Sequence, residues 1–424
     1  EWVMYASGGG AILSNGTNLG SGSGAFAAND VLQLAVDITN SKAWVGKNNV
    51  WYDSTTGTTG NPSAGTNNTF SVNASGMFAL FYANTSAATI GSNINTGQRP
   101  FSYTPPTGYS ALCAPNLALP IILNGAGYMA ATLYTGTGAS LSVANTVGSK
   151  SFQPDLVWIK SRSAATNNNL FDAIRGTTNY LISNSTAANA SNANTLTAFN
   201  SNGFTVGTDA SSIGVNVSAA TYVGWQWLAG AGTTSSNTNG SITSTVCVNT
   251  TSGFSVVTYT GTGANATVGH GLGVAPSMVI TKQRTAASTT NWATWHTSIA
   301  NTNYLLLNTT AASTAGATYW NSTTPTSSVF SIGTAADTNT NTGTYVAYCF
   351  APIAGYSAFG SFTGNGSADG PFVYLGFKPR FILIKRTDGT GDWIIEDTAR
   401  NFYNAADLTL FPNAAIYESM LSKY

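Results

Sequence analysis

Phe377-Lys378-Pro379-Arg380-Phe381-Ile382-Leu383-Ile384-Lys385-Arg386 is the stretch on which the reading of this chain turns. Two earlier stretches follow the same plan: Phe152-Gln153-Pro154-Asp155-Leu156-Val157-Trp158-Ile159-Lys160-Ser161-Arg162 and Val274-Ala275-Pro276-Ser277-Met278-Val279-Ile280-Thr281-Lys282-Gln283-Arg284. In each, a proline precedes an apolar run and a lysine lies six residues after that proline. Proline fixes φ and has no donor, so it suits the start of a strand rather than its middle. The residues behind it are mostly apolar on both alternating faces, the pattern of a strand covered on both sides.

Other markers keep the same order around these three stretches. Tyr134-Thr135-Gly136-Thr137-Gly138, Tyr259-Thr260-Gly261-Thr262-Gly263 and Phe362-Thr363-Gly364-Asn365-Gly366 come before them. After them come Leu170-Phe171-Asp172, then Trp292 to His296, then Trp393 to Asp397. The first two copies finish on Tyr222-Val223-Gly224-Trp225-Gln226-Trp227 and Tyr345-Val346-Ala347-Tyr348-Cys349-Phe350. Pro154 to Pro276 is 122 residues and Pro276 to Pro379 is 103, too long for a solenoid coil and right for whole small domains in tandem. The sequence therefore predicts β-sandwich repeats at 125–230, 252–353 and 354–424, the third stopping before the strands that end the others. Residues 230–251, rich in Ser, Thr, Asn and Gly, read as a linker. Residues 351–355 are so few that the second and third repeats must abut.

Residues 1–118 alternate short apolar runs with turns. Ala11-Ile12-Leu13 leads to Asn15-Gly16, a strong hairpin signal. Val31 to Ile38 reads as a buried strand, Ala43 to Gly46 as its return, and Met77 to Tyr82 as a later strand. Leu117 to Leu123 is apolar but broken by Pro120, and reads as a connection that packs against a neighbour.

Asn29-Asp30-Val31-Leu32-Gln33-Leu34-Ala35-Val36-Asp37, followed by Lys42-Ala43-Trp44-Val45-Gly46-Lys47-Asn48-Asn49-Val50-Trp51 and Asn95-Thr96-Gly97-Gln98-Arg99-Pro100-Phe101, resembles the core of a SPRY-like domain. Family members commonly read N-G where Asn48-Asn49 stand, and N-F-G-Q where Thr96 replaces the aromatic residue. The resemblance implies a concanavalin-like jelly roll at 1–118, N-terminally incomplete, that binds without catalytic residues. The Y-T-G-x-G, proline-strand-lysine and W-x-x-x-D-x-x-R series at 125–424 resembles an uncharacterised repeat of tailed-phage structural proteins, often found after a SPRY-like domain. It implies a virion protein such as a tail fibre, tail appendage or head decoration.

Composition agrees with a surface-displayed β protein. Charged residues make up 7% of the chain, far below the roughly 25% of an average soluble protein. Fifteen basic and fifteen acidic residues cancel, leaving no basic stripe for phosphates, so nucleic acid is not an expected partner. No apolar run approaches the roughly 18 residues that span a bilayer, so membrane insertion is not expected. Cys113, Cys247 and Cys349 are isolated; they read as inert packing residues rather than a disulfide framework or zinc site.

The chemistry-bearing residues are few. Asp172 and Arg175, and again Asp397 and Arg400, share a D-x-x-R spacing eighteen residues after their prolines, and read as structural ion pairs that fix a turn. His296 and Ile299 replace them in the middle repeat. Lys160, Lys282 and Lys385 read as strand-end lysines that carry their ammonium groups to water. His270 and His296 have no partners at ligand spacing, so no metal or cofactor is expected. Glu396 and Asp397 are the adjacent carboxylates, and neighbours on a strand face opposite ways, unlike the paired acids of a glycosidase. Trp51, Tyr52, Trp292 and Trp295 are the candidates to stack on a sugar from loops.

The expectation is a non-enzymatic virion protein at the particle surface. Its partners would be other virion proteins, copies of itself as a homo-oligomer (a trimer first), and a host glycan or envelope protein. A bacterial adhesin or sheath protein and a polysaccharide depolymerase spike are the alternatives.

Overall fold

The structure, a computed structural model, describes residues 2–5, 11–14, 17–20, 29–55, 57–72, 94–113, 116, 120–209, 213–285, 289–367, 370–402 and 406–420. Among the described residues strands take 36% and helices 3%, in antiparallel sheets with no barrel, so the fold is an all-β sandwich type. The chain divides into two compact units, 1–119 and 120–424.

In the first unit, Leu32–Asp37, Lys42–Lys47 and Val50–Trp51 form an antiparallel meander, with Phe70–Ser71 also paired to Lys42–Lys47. Asn48 and Asn49 take φ of 49° and 67°, left-handed values that asparagine tolerates in a tight turn. Trp44 is fully buried and donates its indole N–H to Thr66 O at 2.9 Å. The strand 32–37 is not buried throughout: Leu32 and Leu34 are exposed and Ala35 is covered. Alternation identified its two faces, but only one has a layer over it. Three further strands, Trp2–Tyr5, Ala11–Ser14 and Thr17–Gly20, pair in order. Asn15-Gly16 and the run 77–82 lie outside the described residues.

In the second unit each repeat is built on its proline-led strand: Leu156–Ser161, Met278–Gln283 and Phe381–Lys385. Each pairs with a return strand, Asn169–Asp172, Ala293–His296 or Trp393–Asp397, in the same register. Leu156 lies opposite Asp172, Met278 opposite His296, and Phe381 opposite Asp397. In the first two repeats the other edge takes a closing strand, Thr221–Trp227 or Thr344–Phe350, which then pairs with an opening strand, Met129–Thr135 or Phe254–Thr260. A smaller second sheet covers the outer face of each: Leu141–Ala144, Leu196–Asn200 and Gly203–Val206 in the first, Ala266–Gly269 and Val329–Ile332 in the second.

Two expectations change. Residues 230–251 are not a bare linker: Ser235–Asn237 and Ser244–Asn249 add two strands to the second repeat's sheet. Val246 faces one hydrophobic cluster and Cys247 another, so this polar-looking segment has a buried stripe on each side. In the connection before the first repeat, Leu117 to Leu119 lie outside the described residues; Ile122 is buried and Pro120 lies against Gly355, while Ile121 and Leu123 are exposed.

Equivalent residues of the three repeats meet in cyclic order. The Asn189 N–H of the first donates to Arg284 O of the second at 3.2 Å. Ser313 N–H of the second donates to Thr387 O of the third, and Glu418 N–H of the third to Arg162 O of the first, both at 2.9 Å. A second cycle runs the other way. Trp292 Nε1 donates to Ile182 O (2.9 Å), Trp393 Nε1 to Leu306 O (3.0 Å) and Asn168 Nδ2 to Phe411 O (3.0 Å). The repeats therefore close a ring about a pseudo-threefold centre. One hydrophobic cluster draws on all three, from Leu156 and Trp158 through Ile280 and Trp292 to Trp393, Ile395 and Leu410. A sheet face must be covered by another layer, and here the inner faces cover one another, so the repeats are joined by a common core.

Candidate functional site

The rings expected to meet a ligand are mostly core. Trp292 is 0% exposed, Trp295 2% and Tyr52 5%, while Trp51 is half-buried. Trp292 faces the shared central cluster and Trp295 the interior of the second sandwich. Both faces of their strand are covered, so period-2 alternation left neither ring in water. Trp51 packs over Gly46, where an added Cβ would lie 3.0 Å from the indole.

Around the ring centre stands a buried polar network. Asp172 pairs with Arg175 through Nε, and its other oxygen accepts the Arg175 backbone N–H at 2.9 Å. The Arg175 guanidinium also donates to Leu170 O (2.9 Å) and Asn189 Oδ1 (2.8 Å). Asp397 and Arg400 repeat the arrangement at 2.6 Å, with Arg400 donating to Ile395 O and Glu418. Both pairs are almost fully buried. A buried pair with every lone pair and proton satisfied holds its place, whereas removal of one partner strands the other.

The spacing of Asp and Arg marked these pairs in the sequence. Their outer partners come from other repeats and carried no local signal. Tyr348 of the second repeat donates its hydroxyl to Asp172 Oδ2 at 2.8 Å. Trp225 of the first donates its indole N–H to Asp397 Oδ2 at 2.9 Å. Arg162 of the first binds Glu418 of the third through two N–H groups, at 2.9 and 2.8 Å. Burial, and then the charge of Asp172, hold the Tyr348 phenol well above its ordinary range, so it remains a donor.

The lysines overturn the expectation of ammonium groups in water. Lys160 and Lys282 are 0% exposed. Lys160 donates to Thr166 O; Lys282 donates to Thr290 O and, across the repeat boundary, to Thr186 O at 2.8 Å. Lys385 keeps the same geometry half-buried, reaching Thr310 O, Arg386 O and Gly391 O. Carbonyl oxygens take the place of water, yet burial still brings Lys160 and Lys282 down to about 8.

Asp155, beside Pro154, is another residue the sequence did not single out. It is fully buried and accepts N–H groups from Ala229 (2.7 Å), Ala231 (2.9 Å) and Gly232 (2.6 Å). It thereby fixes the turn out of the first repeat. The Cys247 thiol donates to it at 3.3 Å. Burial first, then the Asp155 charge, push that thiol up to about 12. His270 is buried with Nδ1 accepting from Leu272 N–H and Nε2 facing Thr326 O, which defines a neutral imidazole. Among the described residues no group of three His, Cys, Asp or Glu side chains is placed to hold a metal ion.

The ion pairs at the ring centre are thus buried and bonded to strands of neighbouring repeats. A depression of about 170 Å³ lies on the second repeat, lined by Thr243, Thr245, Thr258, Tyr259, Thr260, Thr344 and Arg284. Its threonines sit across paired strands, Thr245 opposite Thr258 and Thr260 opposite Thr344. Hydroxyls that donate and accept, beside one guanidinium, suit a hydroxylated or anionic ligand.

Residues 124–423 match a family model described as a domain of unknown function, DUF7483. No curated protein and no solved structure matches the chain.

Proposed function

This chain belongs to the DUF7483 family, and we propose that it is a non-enzymatic structural and binding protein on the surface of a tailed-phage virion. The observation that carries this reading is the use made of ionisable side chains. In the three-repeat ring, Asp172 pairs with Arg175 and Asp397 with Arg400 inside their own repeats, and Arg162–Glu418, Tyr348–Asp172 and Trp225–Asp397 carry these groups across the repeat boundaries. Charged residues are 7% of the chain, and pairing several of them inside the fold leaves a surface poor in charge, which supports the reading of a displayed particle protein. Asp397 and Glu418, which a polysaccharide-cleaving site would need free, are both held by arginine.

The first unit would be a SPRY-like binding domain, and the protein would assemble as a trimer with other virion proteins. Host contact, in this proposal, falls on glycan or envelope groups. The threonine-lined depression beside Arg284 is the favoured contact on the second unit. Labelling native particles and imaging them by electron microscopy tests the location. Label on the tail or head surface is the expected result. Label confined to the bacterial surface, with none on purified particles, would replace the virion reading with an adhesin. A glycan array comparing the wild type with Arg284→Ala tests the contact; equal binding by both would remove the depression from the proposal.

A further inference from the structure

Arg162, Arg284 and Arg386 hold equivalent places just after the three proline-led strands, and they differ in what faces their charge. Arg162 donates to both oxygens of Glu418, at 2.9 and 2.8 Å. Arg386 donates to Asp388 at 2.8 Å. The Arg284 side chain forms no ion pair and no hydrogen bond among the described residues. Its Nε is shut off from water and faces no acceptor.

The pseudo-threefold ring shows which residue takes the acid's place. Two bonds put Asn189 where Glu418 stands. The Asn189 N–H donates to Arg284 O as the Glu418 N–H donates to Arg162 O. Arg175 Nη1 donates to Asn189 Oδ1 at 2.8 Å as Arg400 Nη1 donates to Glu418 Oε1 at 3.1 Å. A carboxylate has acceptor capacity for both arginines. The Asn189 amide has one oxygen, which serves Arg175, and its Nδ2 donates to Asn179 Oδ1 at 3.2 Å. Burial first, then the Arg175 charge, pull the Arg284 guanidinium below its ordinary range, and the Asp172 charge offsets this only in part. Arg284 is therefore a cation short of counter-charge.

The surroundings differ in the same direction. Thr258 lies opposite Val346 where, in the first repeat, Leu133 lies opposite Val223, so a hydroxyl replaces an apolar side chain. The depression that Arg284 lines also carries Thr245 and Thr260, and the hydroxyls of all three threonines make no hydrogen bond among the described residues. Its volume of about 170 Å³ is below the roughly 300–1,000 Å³ that encloses a drug-sized ligand, which suits one terminal group of a larger molecule. We propose that Arg284 binds the carboxylate of an acidic sugar, a uronic acid unit whose ring hydroxyls meet these threonines. This rests on the depression being the glycan contact, and adds the acid group that the contact selects. Glu418 on Arg162 states the chemistry, since a guanidinium takes a carboxylate through two parallel N–H bonds.

The test uses the full chain with methyl glucuronide, and methyl glucoside as the same ring without the acid. Ligand-observed NMR titrations read the dissociation constants. Saturable glucuronide binding is expected, about tenfold or more tighter than that of the glucoside. Arg284→Gln weakens glucuronide binding about tenfold and leaves the melting temperature unchanged. Asn189→Glu gives Arg284 an internal carboxylate of the kind Arg162 has. It weakens glucuronide binding to a similar extent while the melting temperature holds or rises. Absence of glucuronide binding, or binding unaltered in both variants, overturns the proposal. Equal binding of the two sugars, both weakened by Arg284→Gln, overturns the acid group and keeps the depression as a sugar contact. A polyglutamate peptide that binds more tightly than the glucuronide, and depends on Arg284, overturns the sugar and assigns the guanidinium to an acidic protein segment. Arg284-dependent glucuronide binding by a chain absent from purified particles keeps this site and removes only the virion reading.

Discussion

The Tyr348 hydroxyl donates to Asp172 Oδ2 at 2.8 Å, so the closing strand of the second repeat caps the buried ion pair of the first. The ring is held at this point by a bond between groups 176 residues apart. Trp225 makes the equivalent bond to Asp397 at 2.9 Å, with a different side chain and the same placement.

Tyr348→Phe removes that donor while keeping the ring. Asp172 retains Arg175, so the expected loss is about 1–3 kcal/mol of unfolding free energy. Arg175→Ala leaves the carboxylate buried and unpaired, and about 3–5 kcal/mol is expected. Urea midpoints of the two variants check the order. A Tyr348→Phe loss equal to that of Arg175→Ala would mean that the hydroxyl secures Asp172 as much as the guanidinium does.

Lys282 gives stability a rise with pH. Its value in the folded chain is about 8, against 10.5 for an ordinary lysine. Between those values the unfolded chain holds a proton that the folded chain has released, so stability increases as pH climbs through this window. Lys160 contributes in the same direction. Subtracting the stability curve of Lys282→Met from that of the wild type isolates the contribution, and a flat difference from pH 8 to 10 would contradict it.

His270 acts at the acid end. Burial holds its imidazole below 6.5 in the folded chain. As pH falls through 6.5 the unfolded chain takes up a proton that the folded chain refuses, and stability is lost. His270→Gln is expected to flatten this slope to what His296, also lowered by burial, leaves. Thermal melts between pH 7 and 5 provide the comparison.

The cysteines differ in access. Cys247 and Cys349 are fully buried, with thiols pushed up to about 12, whereas Cys113 is partly exposed. A thiol reagent that needs the thiolate should label Cys113 in the native protein and the other two after denaturation. Mass spectrometry of peptides after brief labelling reads the result; early modification of Cys247 would show that its cover opens.

The sequence by itself determined the all-β class and the equivalence of the three proline-led strands. Both rest on features written within a few residues: alternation, prolines, glycine turns. It also placed Asp172 beside Arg175 and Asp397 beside Arg400, because three residues of spacing suffice. What covers each strand was decided only in three dimensions. Trp292 and Trp295 read as rings available to a sugar, and both are core, because alternation names two faces without saying which of them water reaches. Residues 230–251 read as a linker, and their buried stripe, Val246 and Cys247, becomes visible only once two other sheets lie against it. Lys160 and Lys282 read as solvated, yet carbonyl groups that fold around them replace the water. The closure of the ring, in which Tyr348 meets Asp172 and Trp225 meets Asp397, joins positions far apart along the chain, and no local pattern can encode a partner that distant.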